Sequence, residues 1–352
     1  MKSQITVITA IRNREPWRIQ TMVESIRQTG ANPCFHIIDY GSSVDYTDKY
    51  KNLCKELGIQ YTHMYSEGFP WNKCRALNFG AKQAKTPFIV TSDVDMIYEG
   101  NSLKWCLDNY KEKNIFHIET YWLDKKKKNA KFAGTGNSGG FCFTSKEAFY
   151  EINGYDERIQ YWGYEDLDWP ERLIKCGYTQ IWLPSEYKIF HQWHEPSEQG
   201  LLRPVTVNYN SLGYCTQSKI FPKLNDDWGK NITRTDRPIL KYIETIQPEV
   251  FFLKHNEITE WKKHSELIEF ITKNKFSKIE LATRIKKTPL ARFQNFARKL
   301  ISLFAKIFGW NIVPILNYDI DYLYEILLLL YPTVIKDFYI NTYFDNIYIL
   351  SK

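Results

Sequence analysis

Short apolar strands alternate with helical stretches through the first ninety residues, and this alternation constrains the fold more than any other feature of the chain. Residues 5–9 (Ile-Thr-Val-Ile-Thr) read as a strand, and residues 17–28 carry helical periodicity that ends near Gly30. Residues 35–39 form the next strand, followed by the turn Gly41-Ser42-Ser43. Residues 48–57 read as a helix that stops at Gly58. Residues 72–85 form another, and the strand 87–91 runs into Asp93. Such spacing predicts an α/β, Rossmann-like fold: a mostly parallel sheet with helices on both faces. Ligands of these sheets bind beyond the carboxyl ends of the strands, so residues 9–14 and 92–96 mark the expected site.

A second block, 134–229, is rich in Gly, Trp, Tyr and turn residues, with a strand at 141–143 and helices at 145–153 and 167–176. From about residue 237 the texture changes to longer helical patterns without catalytic-looking clusters. A length of 352 residues suits one large domain plus a smaller one. The expected division is a domain over 1–236 and a mainly helical C-terminal region over 237–352.

Three clusters carry chemistry. Asp93-Val94-Asp95 follows an apolar strand, and two carboxylates so placed can address one Mg²⁺ or Mn²⁺ ion, although an isolated pair of this kind is common in surface turns. Such a cation would stabilise a diphosphate leaving group. Glu165, Asp166 and Asp168 stand beside Trp162 and Tyr164 at a helix start. They are either charges favoured by the helix dipole or the home of a general base whose pKa the aromatic rings raise. His191 and His194, three positions apart, can point the same way and ligate a metal.

The order of these elements resembles family 2 glycosyltransferases of the GT-A fold with a galactosyltransferase-like C-terminal half, similar to β-1,4-galactosyltransferases and bacterial chondroitin-type capsule polymerases. The resemblance covers about the first 230 residues. It rests on Ile11 to Glu15, Asn72 to Gly80, Ser92 to Ile97, Gly139-Gly140-Phe141, Ile152-Asn153-Gly154-Tyr155 and Trp162 to Asp168. It implies that Arg12 and Arg14 hold the nucleotide and its phosphates, that Asp39 contacts base or ribose, and that Lys73 lies near the diphosphate. Tyr40 departs from the family, which often has a second acid there. Asp95 and His194 would ligate Mn²⁺ or Mg²⁺, with His191 able to join them and Asp93 nearer the ribose or a bound water at the same centre. Gly139 and Gly140 would let the backbone approach the donor sugar. Asp166 would be the catalytic base and Glu165 would contact sugar hydroxyls. Trp162 would be an acceptor platform, and Asp168 would hold the acceptor or the loop. The implied reaction is an inverting transfer from a nucleotide diphosphate sugar, UDP-linked by expectation, to a glycan or lipid-linked glycan in cell-surface polysaccharide synthesis. The readings set against it are a nucleotidyltransferase and a binding module of the same fold without turnover.

The remaining features concern partners and location. Lys and Arg number 47 against 40 acids, a formal charge of +7 that fits anionic small molecules or a membrane surface. The basic residues gather in one C-terminal stretch rather than around the expected cleft, which argues against nucleic acid. Seven single cysteines without a CxxC pair and an N-terminus without a signal-peptide apolar run lead to a cytoplasmic expectation. Lys125 to Lys128 read as a solvated loop, with a lid as the sharper alternative. Residues 288–309 form a basic, Phe-rich amphipathic pattern suited to peripheral docking on an anionic membrane. Residues 317–349 read as buried helices or an oligomer contact.

Overall fold

The structure, a computed structural model, describes residues 3–126, 129–133, 140–161, 163–194, 223, 227–253, 261–281, 330, 334–340 and 346–352. The chain divides into two compact units, Met1–Arg234 and Thr235–Lys352. In chain order the first contains β1 (Ile5–Ile11), α1 (Trp17–Arg27), β2 (Cys34–Tyr40), α2 (Val44–Glu56), β3 (Gln60–Met64), α3 (Lys73–Gln83), β4 (Phe88–Ser92), β5 (Met96–Glu99) and α4 (Ser102–Asn109). There follow β6 (Asn114–His117), β7 (Glu119–Leu123), β8 (Ala130–Phe132), β9 (Phe141–Ser145), α5 (Lys146–Glu151), α6 (Glu165–Lys175), β10 (Thr179–Trp182) and β11 (Lys188–His191).

Seven strands make the main sheet in the order β10-β6-β9-β4-β1-β2-β3, and only β9 runs antiparallel to its neighbours. The mostly parallel α/β class expected from the alternation is the class found. Neighbouring residues of one strand serve opposite faces, as the pleat requires. Ile8, Ile38 and Ile89 pack with Leu77 of α3, Phe149 of α5 and Trp169 of α6, whereas Val7, Ile37 and Val90 pack with Met22 of α1, Tyr50 of α2 and Leu103 of α4. In α1 the buried Ile19, Met22, Val23 and Ile26 recur at i, i+3, i+4 and i+7, which lays one helical stripe on the sheet.

The expected strand–helix series did not include a second sheet. Its order is β5-β11-β7-β8, and it stands at the carboxyl end of β4. The Lys125 turn closes its β7–β8 hairpin, with Asp124 N–H donating to the Asn129 carbonyl at 3.0 Å.

The motif Asn72 to Gly80 has a structural logic of its own. Asn72 caps α3 by accepting the Arg75 N–H at 2.8 Å. The fully buried Asn78 donates to the Tyr155 carbonyl at 2.9 Å and accepts the Tyr155 N–H at 2.7 Å. Gly154 lies against it at φ +73°, where a Cβ would run into the Asn78 amide. Together these residues lock α3 to the loop that leads into α6.

The second unit contains α7 (Pro238–Thr245), β12 (Glu249–Leu253), α8 (Trp261–Lys273), β13 (Phe276–Leu281), β14 (Ile335–Ile340) and β15 (Asn346–Ser351). Its four strands pair in the order β12-β13-β15-β14. Buried Arg237 donates to Asp337 at 3.0 Å and to the Phe338 carbonyl at 3.0 Å, which ties the start of α7 to β14. Among the described residues, the region expected to be mainly helical holds a four-stranded sheet beside its two helices. Within 317–349, residues 335–340 and 346–349 are strand, because Ile335, Phe338, Ile347 and Ile349 bury their side chains in a sheet rather than along a helix stripe. The expected membrane-docking helix 288–309 lies outside the described residues. Among the described residues, no helix is long and apolar enough to cross a membrane.

Arg172 has the heaviest buried electrostatic duty in the first unit. It is 0% exposed and donates to Asp168 at 2.8 Å and to the Ile152 and Gly154 carbonyls at 3.1 and 2.8 Å. Arg172→Leu should lower the stability of this unit by about 3–5 kcal/mol, since it strands a buried carboxylate. Denaturant unfolding of that variant and of Asp168→Leu/Arg172→Leu checks this, the double variant regaining much of the loss.

Candidate active site

The antiparallel register of β5 and β11 sets His191 against Met96, so the imidazole arrives beside Asp95 although 96 positions separate the two in sequence. The Gln192 N–H donates to the Asp95 carbonyl at 2.8 Å and continues that ladder by one step. The chain then turns so that His194 also faces the carboxylate. His194 Nε2 is 3.3 Å and His191 Nε2 3.5 Å from Asp95 Oδ2. One ligand atom from each of the three residues lies within 4.8 Å of the others, so they could hold a metal ion. Burial pushes Asp95 up, but the hydrogen bond to His194 and the nearby charges of His191, His194 and Arg14 outweigh it and hold the carboxyl down at about 2. Its Oδ1 is buried without a hydrogen-bond partner among the described residues, a costly arrangement that a bound cation would relieve. Two imidazoles and one carboxylate are a donor set that fits a divalent cation.

Arg18, 7% exposed and without a marked role in the sequence reading, supports this corner. Its guanidinium lies 4.5 Å over the Trp17 ring and donates to the Trp193 carbonyl at 3.2 Å, between the two histidines. Lys125 from the β7–β8 turn sits 4.7 Å over the Trp193 ring. The tetralysine segment thus touches the site through its first residue, while Lys127 and Lys128 lie outside the described residues.

Lys73 at the start of α3 joins the other acids. Its ammonium is 2.6 Å from Asp93 and 3.3 Å from Glu165. Burial works against that charge, yet Asp93 and Glu165 outweigh it and raise the Lys73 pKa. Asp93 is thereby engaged with Lys73, while Asp95, His191 and His194 form the group that could hold a metal. The Asp93 N–H donates to the Gly140 carbonyl at 3.1 Å, and a Cβ on Gly140 (φ +99°) would collide with the Asp93 carboxylate. Glycine is required there by contact as well as by backbone conformation.

The acidic cluster occupies the first turn of α6, where the helix dipole favours it. Two non-glycine residues, Tyr161 (φ 61°) and Tyr164 (φ 73°), hold left-handed conformations just before it, a concentration of strain typical of functional sites. Asp166 opens to solvent, while the crowding cleft wall and then the neighbouring Glu165 push its carboxyl up to about 6, against the opposing pull of Lys73. Lys73, Gly140, Glu165 and Asp166 line one cleft.

Other expected site residues have different surroundings. Arg12 spends its guanidinium on the carbonyls of Gly41 (3.2 Å), Ser66 (3.2 Å) and Phe69 (2.7 Å), clamping the loops after β2 and β3. Arg14 is half-buried, its backbone N–H donating to the Tyr50 hydroxyl at 2.7 Å, and its charge reaches Asp95. Asp39 is fully buried. Its oxygens accept from Ser42 N–H (2.9 Å), Thr47 (3.2 Å), Tyr61 (2.8 Å) and His63 (2.9 Å), so the carboxylate ties β2 to β3 and offers no free edge to a nucleotide. Asp168 is likewise buried, its Oδ2 paired with Arg172 at 2.8 Å, which fastens the start of α6 to the preceding loop. Gly139 and Trp162 lie outside the described residues.

Comparison with known proteins finds likenesses in the first unit. Residues 6–152, from β1 through α5, match the glycosyl transferase family 2 model. Residues 123–195, which carry Asp166 and both histidines, match the model described as the N-terminal domain of galactosyltransferase. Over these ranges the chain is similar to the families that its motifs resemble. An uncharacterized glycosyltransferase of Rickettsia bellii (strain RML369-C) is 29% identical over 139 residues, 40% of this chain and 19% of that protein. One from Rickettsia felis (strain ATCC VR-1525 / URRWXCal2) is 27% identical over 139 residues, 40% of this chain and 22% of that protein. The chain therefore spans only 19–22% of the length of these relatives. Among solved structures, GalNAc-T7 with UDP, GalNAc and Mn²⁺ is similar at a TM-score of 0.46 and 14% identity, over 62% of this chain and 49% of that one. The catalytic domain of Drosophila beta1,4galactosyltransferase 7 in complex with xylobiose is similar at 0.37 and 17%, over 51% and 65%.

Two outcomes test this geometry. Isothermal titration with the metal alone should detect Mn²⁺ binding that Asp95→Asn or His194→Ala weakens at least about tenfold, as losing even outer support of a metal does; unchanged titrations would remove the centre. The second concerns His63, which Asp39 and Glu67 hold at 2.9 and 2.8 Å. Burial lowers its pKa, but hydrogen bonds to these two carboxylates prevail and raise it from 6.5 to about 9. The folded state then binds the extra proton, so this contribution is complete below pH 6.5 and disappears as pH rises through about 9. The melting temperature should fall across that window, and less steeply in His63→Gln.

Proposed function

We propose that the first unit is an inverting, metal-dependent glycosyltransferase that moves a sugar from a nucleotide diphosphate sugar to a hydroxyl of a glycan or lipid-linked glycan. The observation that carries this reading is the position of Asp166: a carboxyl with its pKa raised to about 6, in the same cleft as Lys73, Gly140 and Glu165. Asp95, His191 and His194 would hold a divalent cation, with Mn²⁺ the better match. When bound, it neutralises the diphosphate and stabilises it as a leaving group.

The chain's own residues supply the remaining steps. Lys73 and Arg14 bring positive charge toward the phosphates, and the Gly140 backbone gives the donor sugar close approach. Asp166 takes the proton from the acceptor hydroxyl as its oxygen attacks the anomeric carbon. The bond from that carbon to the diphosphate oxygen breaks, and the nucleoside diphosphate leaves from the opposite face, which inverts the centre. Glu165, held by Lys73, is placed to contact sugar hydroxyls. A carboxyl near 6 is a stronger base than an ordinary aspartate and is still ionised at neutral pH.

A thermal-shift panel of UDP, GDP, CMP and dTDP with Mn²⁺, Mg²⁺ or EDTA tests the donor class, since a ligand that binds the native state raises its melting temperature. UDP with Mn²⁺ is the expected hit, and no metal-dependent shift with any nucleotide would overturn the reading. Asp166→Asn should lose about 10²–10⁴-fold in turnover while keeping nucleotide affinity. Wild-type turnover should rise with pH through about 6 and then level off, because the base works only when deprotonated. A rate flat from pH 5 to 8, or normal turnover by the variant, would remove Asp166 from that role.

A further inference from the structure

At the inner end of the same cleft stands His117, the last residue of β6. It is 3% exposed; the Phe141 backbone hydrogen-bonds its ring, and no side chain does so, which leaves one ring nitrogen without a partner among the described residues. Burying an imidazole in this way costs free energy that an apolar residue would not. Its ring packs beside Trp182 with centroids 5.4 Å apart, a contact that phenylalanine could make equally well. Packing therefore does not account for a histidine at this position.

We propose that His117 is a donor-sugar specificity residue, hydrogen-bonding one neutral polar substituent, a hydroxyl or an amide, of the sugar ring seated between Gly140 and Asp166. The proposal rests on the glycosyltransferase reading of this cleft. Three observations identify the ligand class. Burial drives the His117 pKa down to about 4 against the pull of the Phe141 backbone, so the ring is uncharged at neutral pH. A neutral imidazole with one nitrogen left over meets a single hydroxyl or amide and has no charge to hold a phosphate or carboxylate. The free space of the cleft is about 20 Å³, room for one water-sized group, so it takes a single substituent of a ring that stays at its mouth.

The cleft's surroundings favour the donor ring. Gly140 bonds to Asp93, two residues from the candidate metal ligand Asp95, so the ring attached to a diphosphate anchored there is the one at that mouth. The wall beneath is rigid: Trp169 stacks on Tyr155 with centroids 4.3 Å apart and an interplanar angle of 22°, and Phe149 closes the other side at 4.4 Å. An aromatic wall beside a buried imidazole discriminates between sugars by the position of a single substituent.

The test uses the full chain and a panel of UDP-glucose, UDP-galactose, UDP-N-acetylglucosamine, UDP-N-acetylgalactosamine and GDP-mannose with Mn²⁺, measuring kcat/KM for donor consumption. In His117→Phe the ratio of the best donor to the next best should fall by about fivefold or more, the size of one net hydrogen bond. Affinity for the bare nucleoside diphosphate should stay within about twofold. A smaller change in the ratio overturns the assignment. If the phenylalanine variant does not fold, His117→Leu is judged by the same ratio. Metal-dependent diphosphate binding with an unchanged ratio removes His117 alone. Absence of any nucleotide binding by the wild-type chain removes the glycosyltransferase reading, and this inference with it.

Discussion

Two short strands running antiparallel in one register, β5 and β11, are the constraint on which the site depends. Their pairing sets His191 opposite Met96, and the Gln192 to Asp95 backbone bond extends it to the residue that carries the carboxylate. A one-residue slip would turn His191 to the other face of the sheet, because side chains alternate along a strand. The candidate metal corner therefore depends on the second sheet as much as on Asp95, His191 and His194 themselves. Arg18, reaching from α1 to the Trp193 carbonyl, pins the loop between the histidines in the same way.

A second chain of contacts runs from α3 to α6. Asn72 caps α3, Asn78 clasps Tyr155, and Arg172 draws the start of α6 onto the Ile152 and Gly154 carbonyls. Lys73 can then leave the first turn of α3 and meet both Asp93 and Glu165. Without that cation, Asp93, Glu165 and Asp166 would face one another in a partly desolvated cleft, where like charges repel strongly. The same crowding raises the Asp166 carboxyl into the range of a useful base. The residues that fix the backbone and those that set the chemistry thus alternate along single motifs.

Polar groups in this unit divide by whether their bonds are internally satisfied. Asp39, Asn78 and Arg172 have their hydrogen bonds supplied by neighbouring elements and act as fasteners. Asp95 Oδ1 and a His117 nitrogen are buried and unpaired among the described residues, as are atoms far from the cleft such as His36 Nδ1 and Ser102 Oγ. Buried polar atoms without partners are expensive, so those that stand where a ligand can reach them are the ones binding would satisfy.

The sequence by itself determined the parallel α/β class, since strand and helix periodicities alternate at βαβ spacing from Ile5 to Ser92. It also marked Asp95, Asp166, His191 and His194, because those side chains in that order match a familiar motif series. It could not separate Asp39 and Asp168, buried fasteners, from Asp166, an open carboxyl, because all three are aspartates next to strand ends or helix starts and differ only in what packs on them. Arg18 and His117 carried no signal, one sitting in an ordinary amphipathic helix and the other ending a short strand. In the second unit, residues 317–349 read as buried helices or an oligomer contact from apolar content, yet 335–340 and 346–349 within them hydrogen-bond into a sheet. Periodicity reports what a segment can do alone. Burial, register and the pairing of charges belong to the tertiary structure, since each is a property of two distant segments meeting.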